Sequence, residues 1–149
     1  MEKIELHPDF KDFLRLLNSH GVEYLIVGGY AVGYHGYPSA TGDMDIWIGV
    51  SESNAQKAAR VLRDFGMPDE QVSEKLFLDR DKIIRMGIPP VRIEVITGAS
   101  GVDFSDCYSR RESTDIDGVP LNFISLNDLK ANKRACGRHK DLDDLEHLP

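Results

Sequence analysis

The segment Asp43-Met44-Asp45-Ile46-Trp47-Ile48 restricts this chain more than any other six residues in it. Its period is that of a β-strand, so Met44, Ile46 and Ile48 share one face while Asp43 and Asp45 share the other. A strand with so apolar a face belongs to a sheet that is covered on that side. The two acids then lie together on the opposite face and repel each other unless a positive charge stands between them. Burying unpaired charge is costly. The partner this pattern points to is a divalent cation that takes oxygen ligands, such as Mg²⁺ or Mn²⁺.

Upstream, Tyr24-Leu25-Ile26-Val27 is an apolar run of strand length, closed by Gly28-Gly29 and followed by a short helix beginning near Tyr30. A strand, two glycines and a helix can cradle a phosphate, because the backbone approaches closely and free N–H groups point at the anion. The plainer alternative is that the glycines only give the turn its backbone freedom.

Attack of a hydroxyl on a phosphate commonly uses a third carboxylate, as general base or as a second metal ligand. Glu94 is the candidate. It lies on an expected strand, Val91 to Thr97, where Val91, Ile93 and Val95 share one face and Arg92, Glu94 and Ile96 the other. The alternative for Glu94 is an ion pair with Arg92 or Arg85.

The chain has 149 residues and a formal net charge of −7, which argues against indiscriminate binding of duplex nucleic acid. Yet Lys130, Lys133, Arg134, Arg138 and Lys140 fall in one short segment with no acid among them. That segment is either a local anion site or a solvated helix face with its cations near the C-terminal end. Other clusters carry less. Asp115-Ile116-Asp117 runs into Gly118 and reads as a hairpin turn, and the histidines show no zinc spacing. Cys107 and Cys136 lack metal or redox spacing. No apolar run approaches the roughly 20 residues of a bilayer span, and Met1 to Glu5 shows no signal-peptide character. A single cytoplasmic domain over residues 1–149 is the expectation.

Pattern and cap residues predict helices over Asp9 to Ser19, Gly29 to Gly36, Ser53 to Phe65 and Ser125 to Cys136, with a helical turn near Phe104 to Tyr108. Ser53 is the expected N-cap of the third. A last short helix is expected to present Leu142, Leu145 and Leu148. Strands are expected at Glu23 to Val27, Asp43 to Ile48, Lys82 to Met86 and Val91 to Thr97, and as a hairpin of Arg111 to Ile116 with Val119 to Phe123 across Asp117-Gly118. Leu76-Phe77-Leu78 reads as a short strand or a turn-rich segment. The order implies an α/β (α+β) fold, a mixed β-sheet flanked by helices.

Gly28-Gly29, thirteen residues, Asp43-x-Asp45 and an acid on a later strand together resemble the polymerase-β-like nucleotidyltransferase superfamily. The Thr41-x-Asp43-x-Asp45 form is similar to its small bacterial branch, which includes nucleotidyltransferase toxins of the abortive-infection type. The run Lys130-x-x-Lys133-x-Ala135-x-Gly137-Arg138-x-Lys140-Asp141-x-x-Asp144-Leu145 resembles that branch's second conserved block. The resemblance implies the superfamily's fold with short C-terminal helices, and Mg²⁺- or Mn²⁺-dependent transfer of a nucleoside monophosphate from an NTP to a hydroxyl. RNA, a protein partner in a toxin–antitoxin pair, or a small molecule would be the acceptor. It implies metal binding and catalysis by Asp43, Asp45 and Glu94. It implies nucleotide binding by Gly28, Gly29, Thr41, Lys130, Lys133 and Arg138. One departure is Ser39, where members often carry Arg; Arg92 or Arg85 could compensate. The alternative function is a non-catalytic protein of this fold that binds a protein partner. The oligomeric state is left open.

Overall fold

The computed structural model describes residues 6–38, 42–88 and 91–149. The elements among them run α1 (Pro8–Ser19), β1 (Tyr24–Val27), α2 (Gly28–Tyr34), β2 (Asp43–Ile48), α3 (Glu52–Asp64), β3 (Ile83–Ile88), β4 (Val91–Ile96), α4 (Phe104–Ser109), β5 (Glu112–Ile116), β6 (Val119–Phe123), α5 (Leu126–Cys136) and α6 (His139–His147). The segment Leu76-Phe77-Leu78 is no strand. It ends a 3₁₀ turn, Glu74–Phe77, one of two between α3 and β3.

One sheet carries all six strands in the order β3-β4-β2-β1-β6-β5. The pairs β2–β4 and β1–β6 are parallel and the others antiparallel. The mixed sheet expected from the sequence is thus the one observed, and β2 lies inside it between β1 and β4. Met44, Ile46 and Ile48 are fully buried, in one core with Phe10, Phe13, Leu14 and Leu17 of α1 and Ala55, Ala58, Ala59 and Leu62 of α3. Each large apolar side chain buried this way contributes about 1.5–3 kcal/mol. That packing locks the orientation of β2.

Local chemistry sets the element ends. Ser51, not Ser53, caps α3: its Oγ accepts from Asn54 N at 3.1 Å. Ser51 leaves β2 with extended backbone, which suits an N-cap, whereas Ser53 already lies in the first turn. Asn54 is buried and fully used. Its Oδ1 accepts from Glu23 N at 2.8 Å, and its Nδ2 donates to the carbonyls of Glu23 (3.0 Å) and Gly49 (2.8 Å). One amide therefore ties the start of β1, the end of β2 and the start of α3. The β5–β6 hairpin turns at Asp117 (φ 53°) and Gly118 (φ 78°), the two left-handed residues of a type I′ turn.

The last helix meets the expectation only in part: Leu148 is buried and Leu145 half-buried. Leu142 is 50% exposed, and the buried positions of α6 are Asp141 and Asp144. The reason lies in α5. Lys133 is buried and brings its ammonium within 3.2 Å of Asp141 and 3.0 Å of Asp144, and the helix turns its acids inward to meet it. Among the described residues, no helix is long and apolar enough to cross a membrane.

Candidate active site

Strand register builds the site. In the parallel β2–β4 ladder Asp43 stands opposite Arg92 and Asp45 opposite Glu94; in the antiparallel β3–β4 ladder Arg85 stands opposite Glu94. Residues paired across neighbouring strands share a face. Asp43, Asp45 and Glu94 therefore lie together on the face that Met44, Ile46 and Ile48 do not occupy, with Arg92 and Arg85 among them.

The arginines hold the acids. Arg92 forks Asp43, with Nε donating to Oδ1 at 3.1 Å and Nη2 to Oδ2 at 2.8 Å. The same Nη2 lies 3.3 Å from Glu94 Oε1, which also accepts from Arg85 Nε at 3.1 Å. Both ion pairs weighed for Glu94 from the sequence are thus present at once. Asp45 is the acid under greatest stress. Burial, the negative charge of Glu94, a hydrogen bond to Glu94 that the protonated acid makes, and the charge of Asp43 push its pKa up to about 7, with Lys140 pulling the other way. Three carboxylates crowd one patch, and a proton relieves part of the repulsion.

Gly28 belongs to this patch for a steric reason. Its backbone is left-handed (φ +65°), and a Cβ at this position would fall inside Asp45 Oδ2 and against its Cγ. The missing side chain is what lets the Asp45 carboxyl lie over the start of α2. Gly29 follows it in that helix, whose N-terminus has no side-chain cap. Thr41 and Ser39 lie outside the described residues.

The basic segment divides. Lys133, expected to face a triphosphate, is only 6% exposed and its ammonium is fixed between Asp141 and Asp144. Burial raises the pKa of Asp141, but the hydrogen bonds and charges of Arg138 and Lys133 more than offset this and hold it below the ordinary carboxylate range. Lys130 donates to the Pro149 carbonyl. Arg138 donates to Asp141 Oδ2 at 2.8 Å, yet stays largely exposed and feels the charge of Asp45, as Lys140 does. The start of α6 thus brings two cations, Arg138 and Lys140, to the acid patch. Lys140 stood in the C-terminal motif without an assigned role, and Arg92 and Arg85 only as possible substitutes for a missing arginine. The signal for the arginines was the strand period, which puts Arg92 on the face of Glu94.

The donor set fits a hard divalent cation: three carboxylates on adjoining strands, with oxygen ligands only. Their present pairing does not. Among the described residues, no three His, Cys, Asp or Glu side chains are gathered to hold a metal ion, and Arg92 and Arg85 pair with Asp43 and Glu94. A cavity of about 720 Å³ opens at the other end of the sheet, lined by Trp47, Asn54, Thr97, Phe104 and Tyr108 among others, and none of the three acids borders it. The chemistry, not cavity size, assigns the candidate site to the acid patch.

The fold has solved counterparts. It matches a candidate nucleotidyltransferase from Thermotoga maritima over 91% of this chain and 87% of the other, with a TM-score of 0.59 and 14% identity. It matches an antigenic nucleotidyltransferase-like protein from Paracoccidioides brasiliensis over 92% of this chain and 72% of the other, with a TM-score of 0.53 and 21% identity. At these identities the likeness establishes the fold, a mixed sheet with flanking helices. No family model and no curated protein matches the sequence.

Proposed function

We propose that the protein is a divalent-cation-dependent nucleotidyltransferase that moves a nucleoside monophosphate from an NTP to a hydroxyl on RNA, a protein or a small molecule. The observation that carries this reading is the β2–β4 register, which pairs Asp45 with Glu94 and puts three acids on one face. Arg92 and Arg85 offset Asp43 and Glu94, whereas Asp45 is left under strain that a bound cation would relieve. Mg²⁺ or Mn²⁺ held by Asp43, Asp45 and Glu94 would neutralise the phosphates and the charge that develops on the leaving pyrophosphate. Gly28 and Gly29 would present backbone N–H groups to the triphosphate. Arg138 and Lys140 would add charge stabilisation from the start of α6, whereas Lys133 would act only by holding α6 in place.

In the transfer, the acceptor oxygen bonds to the α-phosphorus as the bond to the bridging oxygen breaks, and pyrophosphate leaves in line. The acceptor's proton would pass to Glu94. The similarity to the abortive-infection branch is carried by sequence motifs, and it makes a toxin–antitoxin partner protein the first acceptor to try beside RNA.

The second reading is a non-catalytic, partner-binding protein. The arginine pairing of all the acids except Asp45 favours it, since a finished ion-pair network needs no cation. One experiment separates the two: incubation with each α-labelled NTP, Mg²⁺, and total RNA or cell lysate, for wild type and Asp43→Asn/Asp45→Asn. Label on a macromolecule with matching pyrophosphate release, both lost in the variant, is the expected result. No metal-dependent nucleotide binding and no pyrophosphate from any NTP would overturn the enzyme reading in favour of the second.

A further inference from the structure

Arg92 makes three polar contacts in the acid patch, two to Asp43 and one to Glu94, and so bridges both acids. Arg85 reaches Glu94 alone, from the edge strand β3, and its side chain is 56% exposed. The Asp43 carboxylate has both oxygens engaged by the Arg92 fork. A dication brought against Asp43 and Glu94 would meet the guanidinium at close range and be repelled by it. The arginine and the metal are therefore rivals for the same oxygens.

We propose that Arg92 is an exchangeable counter-ion, which competes with a divalent cation for Asp43 and Glu94 and, once displaced, binds the phosphate oxygens of the nucleotide. The inference rests on the nucleotidyl-transfer reading of the same acids. Two further features support it. The Arg92 side chain is 29% exposed, so its head group can leave the carboxylates without crossing the core. The guanidinium fork that fits a carboxylate with two parallel bonds fits a phosphate equally well. Lysine has no such fork.

The consequence is a coupling of definite sign. Metal alone must break the Arg92–Asp43 fork and leave the guanidinium without its partner. Metal arriving with a polyphosphate gives the guanidinium a new anion. Metal and triphosphate should therefore favour each other's binding, with Arg92 as the link.

The test uses the full chain, Mn²⁺ and inorganic tripolyphosphate, which removes the question of the base. The dissociation constant of Mn²⁺ alone is measured by electron paramagnetic resonance. That of the preformed Mn²⁺–tripolyphosphate complex is measured by equilibrium dialysis. Arg92→Met is expected to bind Mn²⁺ alone about tenfold more tightly and the complex about tenfold more weakly, a size ordinary for coupled sites. Arg92→Lys keeps the charge without the fork, so smaller changes of the same two signs are expected; it carries the test if the Met variant does not fold. If Arg92→Met shifts both constants in one direction, or neither, Arg92 is only structural and this inference falls alone. If Mn²⁺ binds wild type no better than Asp45→Asn, the nucleotidyl-transfer reading falls and takes this inference with it.

Discussion

Replacing Asp45 by Asn should make the protein more stable in alkaline buffer and leave it unchanged in acid. The folded protein holds the Asp45 pKa at about 7, against an ordinary value of 3.8. Between those values the folded chain keeps a proton that the unfolded chain has lost, so stability falls as pH rises through this window and the whole penalty is in place above it. The gap corresponds to about 4 kcal/mol at 1.36 kcal/mol per pH unit, an upper bound because Asp45 keeps some contact with solvent. Asn is neutral throughout, nearly isosteric, and its amide can donate to Glu94 where the carboxyl proton did. The expected gain is about 2–4 kcal/mol at pH 8.5, or roughly 5–12 °C in Tm for a chain of this size, and close to zero at pH 4. Thermal melts in EDTA at pH 4, 6 and 8.5 measure it. A variant less stable than wild type at pH 8.5, or one offset by the same amount at every pH, would refute the reasoning. The same variant should lose Mn²⁺-dependent stabilisation, the usual opposition between a strained functional group and the stability of its fold.

Other outcomes follow from the same contacts. Lys133→Met should cost about 3–5 kcal/mol at neutral pH, because Asp144 would stay buried without its cation and Asp141 would keep only Arg138. Asp141 is held below its ordinary value, so this loss should be full above that value and shrink as pH falls through the folded pKa; a flat pH profile in chemical denaturation would sink the assignment. Gly28→Ala should lower Tm and abolish Mn²⁺ binding together, since its methyl would collide with Asp45 and its φ is left-handed; unchanged metal affinity would show that Asp45 does not depend on that space.

Much of this arrangement was legible in the sequence because alternation in a strand is a strong constraint. The acids at 43, 45 and 94 could face only away from Met44, Ile46, Ile93 and Val95, and the β2–β4 ladder bears this out. The Asp117-Gly118 turn was legible for the same kind of reason, a backbone conformation few residue pairs tolerate. What resisted was the fate of charges. A lysine at helical spacing from other cations looks like part of a phosphate-binding face, and nothing local says that Lys133 will be buried by two aspartates eight and eleven residues on. The inward turn of Asp141 and Asp144 left Leu142 exposed for that reason, while Leu148 still reaches the core. The cap of α3 fell two residues from its expected place, where Ser51 and Ser53 competed.

The rung that joins Asp45 to Glu94 also acts as an error check on folding. A β4 strand slipped by one residue against β2 would bring Ile93 or Val95 beside Asp45 and drive Glu94 into the apolar core. Such a chain could not close its interior, and it would be recognised as unfolded by any protease or chaperone it met. Molecules with a wrongly assembled acid patch are therefore removed by the hydrophobic effect itself. Every copy that survives as a compact protein therefore keeps Glu94 on the same face as Asp45.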